Sequence, residues 1–529
     1  MTGLNLDAQG LYYDEVHQAI AAFDYKGNHP TFFNVLQIGR VPILNMTYSG
    51  ALKSNLYSLY LALGASFSVS SWRLLGIGFV AASLFLFCIV AGRCLPRRAL
   101  FLFVAALLTD TTVLLTTRHD WGPTALGLAL RVLFIAVWIR RELDLHAHIR
   151  DDFLLGSLVG LALFEKLSAV VLLVPLVLLL ILSLRPRTRH HWLAGLAGFA
   201  LGALPLLVAN GWSYLHGEGV ISLAEIQEPG KPALPTLGAL LHFASDYLSL
   251  GQGVVVRNWI LGQTPELWPV AVEVGLWIGL TAWIAVHAIR AGRTDAYRQM
   301  AGVAMLCYWA VAAGLVLLPR STGVHHWISG TPFQYVALAL TFAGRPQRET
   351  APAGIPWRRF MPIVPATLAV LIVRAPGVLA VEGDLVGGRS GLAYDPGFSR
   401  LGEFAAAHIN EAVFVAADWG MGNQIYCLAN GPATGVYEPF WDAQSARNVL
   451  TVIAPARKQI LYLITRRKTP RYPDTTALIL KAVTSSPDWR EVQVEPEVAA
   501  LRPVRVRKFL RRAMQSNPFV QSGAATEVH

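Results

Sequence analysis

The chain has 529 residues, of which 54% are hydrophobic and only 15% charged, and it carries a net charge of +11. Soluble domains carry about 25% charged residues, so the composition excludes an ordinary soluble domain and indicates an integral membrane protein. Most arginines sit in short clusters between apolar runs, which excludes a nucleic-acid footprint and reads as a topology signal.

The first 71 residues are largely polar and hold no apolar core of a signal peptide. Within them "GLYYDEVHQAIAAFDY", from Gly10, places Asp14 and Glu15 at the head of a helical pattern. Adjacent helical residues point about 100° apart, so both carboxylates cannot aim into one small site. Asp14 reads either as an N-cap or as a reactive carboxylate. "NMT" at Asn45 is a formal glycosylation sequon. "SGALKSNLYSLYLALGASFSVSSWR" (49–73) is amphipathic and too polar to span. It is expected to lie in the membrane interface, with Lys53 at headgroup level and Tyr57 and Tyr60 beside it.

A membrane helix needs about 20 largely apolar residues. Ten stretches qualify: 72–94, 99–117, 122–140, 153–165, 168–184, 192–210, 269–288, 299–318, 328–343 and 360–380. The fourth is short and ends at Glu165-Lys166, as half of a broken element would. These residues read as a pair at a helix end. Arg131 lies near mid-span, and Glu273 is its expected buried partner.

Arginine sets the orientation. Loops on one side hold sixteen arginines between Arg93 and Arg359, whereas the alternating loops hold Arg118, Lys166, Lys231, Arg257 and Arg320. The arginine-rich side is therefore assigned to the cytoplasm, with the N-terminal 71 residues, the loop 211–268 and everything after about 381 outside. The outer loops bring ionisable groups to the membrane surface: Asp110, Arg118, His119 and Asp120, then Arg257, then Arg320, His325 and His326. Charges of both signs at one interface are costly unless they pair or bind something charged.

After 381 the runs "AVFVAAD", "ATGVYEP" and "QILYLIT" read as strands and "SARNVLTVIAPA" as a helix. They predict a small extracytoplasmic α/β domain over 381–515, followed by a polar tail at 516–529. The basic run "RPVRVRKFLRR" reads as a solvated face, and Gly420 and Gly422 of "DWGMGNQ" as a turn, because the dinucleotide fingerprint is incomplete. Cys88, Cys94, Cys307 and Cys427 form no readable disulfide or zinc framework.

"YYDEVHQA", "GALKSNLYSLYLALGAS" with an arginine soon after, and "RHDWGPTAL", in that order, resemble the GT-C membrane glycosyltransferases. The nearest group is glycosyltransferase family 39, the protein O-mannosyltransferase and lipid A aminoarabinose transferase type. The likeness covers residues 10–345 and is strongest in the first 130. It implies an α-helical polytopic fold and transfer of a sugar from a polyprenyl-phosphate donor to an acceptor hydroxyl on a lipid, glycan or protein. By the same resemblance Asp14 is the catalytic base, Glu15 its neighbour in an Asp-Glu pair and Asp120 a second acidic site residue. Lys53 then contacts the donor phosphate, with Arg257, His325 and His326 as weaker candidates for that role. One base and a single displacement imply inversion. No cofactor is implied; the acidic loops are compatible with a divalent cation but show no ligand spacing. Members of the group carry a span before the acidic loop, so a first span is expected upstream of this reading frame, unless the first apolar run acts as a reverse anchor.

Two other functions fit the composition: a transporter or lipid flippase, and a noncatalytic subunit with the same fold. A transporter is expected to place ionisable groups near mid-membrane in matched halves. Here they concentrate at the outer ends of the helices.

Overall fold

The computed structural model describes residues 3, 5–27, 36–144, 148–185, 187–217, 219–224, 235–291, 295–318, 322–343 and 363–512. Arg320, Lys231 and the tail at 516–529 lie outside the described residues. The chain divides into two compact units, one running to Pro396 and the other starting at Gly397.

The first unit opens with α1 (Tyr13–Ile20), a small antiparallel sheet of β1 (Leu36–Ile38), β2 (Val41–Met46) and β3 (Ser49–Gly50), and α2 (Leu52–Ala62). There follow α3 (Val69–Ala91), α4 (Arg97–Leu108), α5 (Thr111–His119), α6 (Thr124–Leu143), α7 (Ile149–Glu165), α8 (Leu173–Ile181) and α9 (Arg189–Leu215). Next come α10 (Ile221–Ala224), α11 (Leu237–Leu248), α12 (Val254–Leu261), α13 (Leu267–Ala291), α14 (Ala296–Leu317), α15 (Val324–Trp327), α16 (Thr331–Ala343) and α17 (Ile363–Val386).

Among the described residues α3, α9, α13 and α14 are each long and apolar enough to cross a membrane. The α4–α5 pair qualifies as one span bent by 67°. The ten apolar stretches fall on α3, α4–α5, α6, α7, the 3-10 turn Leu167–Leu172 with α8, α9, α13, α14, α16 and α17. The protein is a multi-pass membrane protein.

Local chemistry explains the element ends. Ser68 caps α3, its Oγ accepting from the Ser71 amide at 3.1 Å. At the α4–α5 bend Asp110 accepts from the Val113 amide at 2.9 Å and from the Tyr335 hydroxyl at 2.6 Å. That satisfies the amides that a broken helix leaves exposed. Helices α7 and α9 touch through two glycine pairs spaced four apart. A Cβ at Gly156 would lie 1.9 Å from the Gly195 carbonyl oxygen, and one at Gly202 would lie 2.3 Å from that of Ser157. Only small residues allow backbones this close.

Several expectations are corrected here. Asp14 is not an N-cap: Tyr12 holds that position and Asp14 sits in the first turn. Asn45 is buried, its side chain donating to the Gly50 carbonyl at 3.0 Å and the Ser54 hydroxyl at 2.9 Å. The sequon is thus an internal tie of the small sheet. Residues 381–396 belong to the first unit, because α17 continues to Val386.

The second unit holds α18 (Gly397–His408), β4 (Ala412–Ala416), α19 (Gly422–Leu428), β5 (Val436–Tyr437), α20 (Ala443–Arg447), α21 (Val449–Ile453), β6 (Ile460–Arg466), α22 (Pro473–Thr484), β7 (Trp489–Val492), α23 (Pro496–Ala499) and β8 (Val504–Arg511). Its sheet runs β5-β4-β6-β8-β7, with β4 parallel to β5 and β6, and β8 antiparallel to β6 and β7. The basic run is not merely a solvated face. It forms β8, where Val504, Val506 and Phe509 turn inward and Arg507 and Lys508 pair with Glu491 and Glu495.

Candidate active site

The expected site residues from the first half of the chain do converge. They meet where α1, α2, the head of α3, the α5–α6 turn and the end of α7 come together.

Glu15 is buried and grips Arg73 of α3 through two bonds, Nε to Oε1 at 2.6 Å and Nη2 to Oε2 at 2.9 Å. The same guanidinium donates to the carbonyls of Leu6, Gln9 (2.9 Å) and Gly10 (3.0 Å). Burial pushes the Glu15 carboxyl up, and Arg73 opposes that shift. With every Arg73 nitrogen engaged, this pair fastens the N-terminal segment to α3. It is a positioning device and leaves Asp14 as the carboxylate that faces outward.

Asp14 remains partly exposed. Its Oδ2 accepts a long bond from the Trp121 indole N–H at 3.4 Å, and its backbone carbonyl accepts from His17 Nδ1 at 3.1 Å. Desolvation holds the His17 imidazole below its usual range, against the pull of Asp14.

Lys53 contradicts the headgroup expectation. It is fully buried, ion-paired with Asp120, and its ammonium lies 3.6 Å from the centre of the Trp72 ring. The physical reason lies in α2, which packs the Lys53 face inward and leaves Leu59 and Leu63 exposed. Asp120 performs two tasks. Besides holding Lys53, its Oδ1 accepts from the Ala125 amide at 2.7 Å in the first turn of α6. Its backbone is left-handed (φ 41°), a conformation rare outside glycine, and Gly122 follows with φ 72°. This tight turn places Trp121 between Asp14 and the cleft described next.

The cleft is lined by Gly127 and Arg131 of α6, Glu165 and Lys166 at the end of α7, His325 and His326 of α15, and three hydroxyl residues, Thr124, Ser168 and Ser329. Lys166 is half-buried, and desolvation lowers its ammonium to about 8 while Asp14, Asp120 and Glu165 oppose that shift. Glu165 does not pair with Lys166 within 4 Å. It accepts instead from the Leu52 amide at 3.2 Å. His325 stacks on Trp121 with centroids 4.9 Å apart, and burial drives its imidazole well below the usual range.

An aromatic wall that the sequence reading missed backs Asp14. Trp121 stacks on Trp259 of α12 at 5.5 Å and 11°, and Tyr12 meets Trp121, Trp259 and Tyr394 edge-on or tilted at 5.2–6.1 Å. The signal available was "RHDWGP" itself, where Trp121 follows Asp120.

Arg257 is not brought into the cleft. Its Nη2 donates to Gln263 at 3.1 Å, and α12 reaches the site through Trp259. Nor does Arg131 pair with Glu273. That carboxylate holds Arg374 of α17 and accepts from Gln252 at 2.8 Å. Among the described residues no group of three or more His, Cys, Asp or Glu side chains is placed to hold a metal ion.

No family model and no curated protein matches this chain. Solved structures do. The crystal structure of ArnT from Cupriavidus metallidurans bound to undecaprenyl phosphate superposes with a TM-score of 0.56 at 14% identity, covering 96% of each chain. The apo structure of the same protein gives a TM-score of 0.51 at 12% identity, covering 96% of this chain and 94% of that one. With the helical bundle, the small α/β unit and this end-to-end likeness in view, the chain has the fold seen in those two structures.

Proposed function

We propose that this protein is a membrane glycosyltransferase that moves a sugar from a polyprenyl-phosphate donor to an acceptor hydroxyl on the extracytoplasmic face. One observation carries the reading most: in a GT-C fold, the partly exposed carboxylate of Asp14 stands beside a cleft lined by two cations that have no ion-pair partner among the described residues. The chemistry divides as follows. The acceptor oxygen forms a bond to the anomeric carbon while the bond from that carbon to the donor phosphate oxygen breaks. The hydroxyl proton passes to Asp14, and the polyprenyl phosphate leaves as an anion. Fixed cations stabilise the charge that develops on the departing oxygen. Glu15 and Asp120 act through others, Glu15 by fixing the loop before α1 and Asp120 by fixing Lys53 and the head of α6. A single displacement with one base inverts the anomeric centre. The arginine-rich loops, placed in the cytoplasm, support an outward-facing site.

The reading is supported further by the solved relative, whose structure was determined with undecaprenyl phosphate bound. The test uses purified full-length protein in lipid with labelled polyprenyl-phosphate sugars. Wild type is expected to release the sugar to acceptor, and Asp14→Asn to retain donor binding while losing turnover. Turnover that survives Asp14→Asn overturns the assignment of the base.

A further inference from the structure

The second unit carries a group of aromatic and charged side chains that the transfer chemistry does not use. Topology sets their place. Strand β4 lies between β5 and β6 and is parallel to both. The chain passes from β4 through α19 to β5, and then through α20 and α21 back across β4 to β6. Right-handed crossovers put those two connections on opposite faces of the sheet, so they part at the carboxyl ends of β4 and β6. In an open α/β sheet, that parting point is where ligands bind.

Three loops meet there, and two carboxylates lock them together. Asp418, after β4, is buried and accepts from the Arg471 and Tyr472 amides of the loop after β6 at 3.0–3.1 Å. Glu438, after β5, accepts from the Gly422 amide at 2.9 Å and from the Trp441 indole N–H at 3.2 Å. Gly420 turns the chain with φ 103°, and a Cβ there would lie 2.7 Å from Arg466 Nη2. Arg466 Nε in turn donates to the Trp419 carbonyl at 3.0 Å.

On this fixed base two groups face water. Trp441 is 44% exposed although Glu438 holds its N–H, and its ring lies 5.9 Å from that of Tyr472. Arg471 is exposed and lies over Trp419, its guanidinium 4.4 Å from the ring centre, and among the described residues it has no ion pair. Tyr472 joins the two along the chain. A nucleotide phosphate is a poor fit. The Gly422 amide it would need is taken by Glu438, whose Oε1 would lie 2.3 Å from a Cβ at Gly422. A sugar suits the surface better. Its ring offers C–H groups to the negative face of an indole, and an acid group on it suits a guanidinium fork.

We propose that the second unit binds an acidic saccharide at the carboxyl ends of β4, β5 and β6, with a sugar ring stacked on Trp441 and its acid group on Arg471. The site is independent of the glycosyltransferase reading above and uses none of its residues.

The experiment is a calorimetric titration of the full-length protein in nanodiscs, with trigalacturonate, maltotriose and ADP as probes. Wild type is expected to bind trigalacturonate more tightly than either of the others. Trp441→Ala should weaken it about fivefold or more, with the thermal unfolding temperature held. Trp441→Phe should restore part of the affinity. Arg471→Gln should lower trigalacturonate to the level of maltotriose. Asp14→Asn should bind it as wild type does, which separates this site from a saccharide entering the catalytic cleft. Trigalacturonate binding that survives both Trp441→Ala and Arg471→Gln, or that Asp14→Asn removes, overturns the site. Wild type that binds no saccharide overturns it too, and wild type that prefers ADP overturns the saccharide class.

Discussion

Helices α6 and α7 carry a charged cluster at each end, and the two clusters are built on opposite principles. At the arginine-rich end Asp151, Asp152 and Glu142 each have a guanidinium. Arg140 pairs with Asp151, Arg141 with Asp152 at 3.1 Å, and Arg187 with Asp152 at 3.0 Å and Glu142 at 3.5 Å. Glu142 is completed by the Ser183 hydroxyl at 2.8 Å and the Leu184 amide at 2.7 Å. At the other end Arg131 and Lys166 line one cleft and Asp14 bears on Lys166, and among the described residues none of the three closes into an ion pair. A closed network fixes helix ends and gains nothing from a ligand. An open one stays costly until a charged ligand completes it, which is what a binding site must be.

The largest effects separate the two ends by readout. Asp14→Asn removes the proposed base and leaves its shape. General-base catalysis contributes about 10²–10⁴-fold, so turnover should fall by that much while prenyl-phosphate affinity and unfolding temperature hold. Asp152→Asn strips a partner from both Arg141 and Arg187. Removing one partner of a buried pair costs about 3–5 kcal/mol, and that loss should appear in thermal or denaturant unfolding. Turnover per folded molecule should be unchanged. If Asp152→Asn leaves stability intact and abolishes transfer, the closed end is functional and the contrast drawn here fails.

What the sequence disclosed divides along the same line. Hydropathy marked the long apolar helices α3, α9, α13 and α14, because membrane solvation imposes a long, local, one-dimensional signal. The order of the acidic motif, the Lys53 stretch and "RHDW" pointed to segments that the fold packs together, with Lys53 paired to Asp120 and the Trp121 indole reaching Asp14. Pairing was not legible. Whether Lys53 meets Asp120 or a headgroup depends on how α2 rotates, and whether Glu273 takes Arg131 or Arg374 depends on which helices are neighbours. Both are three-dimensional facts with no local signature. Strand β8 was hidden for a related reason, because its basic residues interrupt the buried Val504, Val506 and Phe509, which follow no strict alternation.

A smaller effect follows from Lys166, whose ammonium is lowered to about 8. The groups that bear on it are Asp14, Asp120, Glu165 and Arg131. The charged form exists below that value, so anion affinity should be full at pH 7 and fall as pH rises through about 8, by at most tenfold per unit. Lys166→Arg keeps its charge and should flatten the profile. Lys166 takes no part in the pairs of the closed end, so stability should show no matching break. Affinity measured from pH 6.5 to 9.5 checks the sign, and a rise with pH would refute it.

The smallest effect tests how the base is aimed. Trp259 is 43% exposed and stacks on Trp121, whose N–H reaches Asp14. An aromatic pair contributes about 0.5–1.5 kcal/mol beyond its burial. Trp259→Ala should therefore loosen Trp121 and, through it, the Asp14 carboxylate, lowering kcat by about two- to tenfold on that scale. Arg131 and Lys166 lie beyond Trp121 from this residue, so prenyl-phosphate affinity should hold. A truncation that instead weakened the lipid and spared kcat would move Trp259 from the orienting of the base to the binding of the donor chain. The open cluster would then extend along the aromatic wall rather than stop at Asp14.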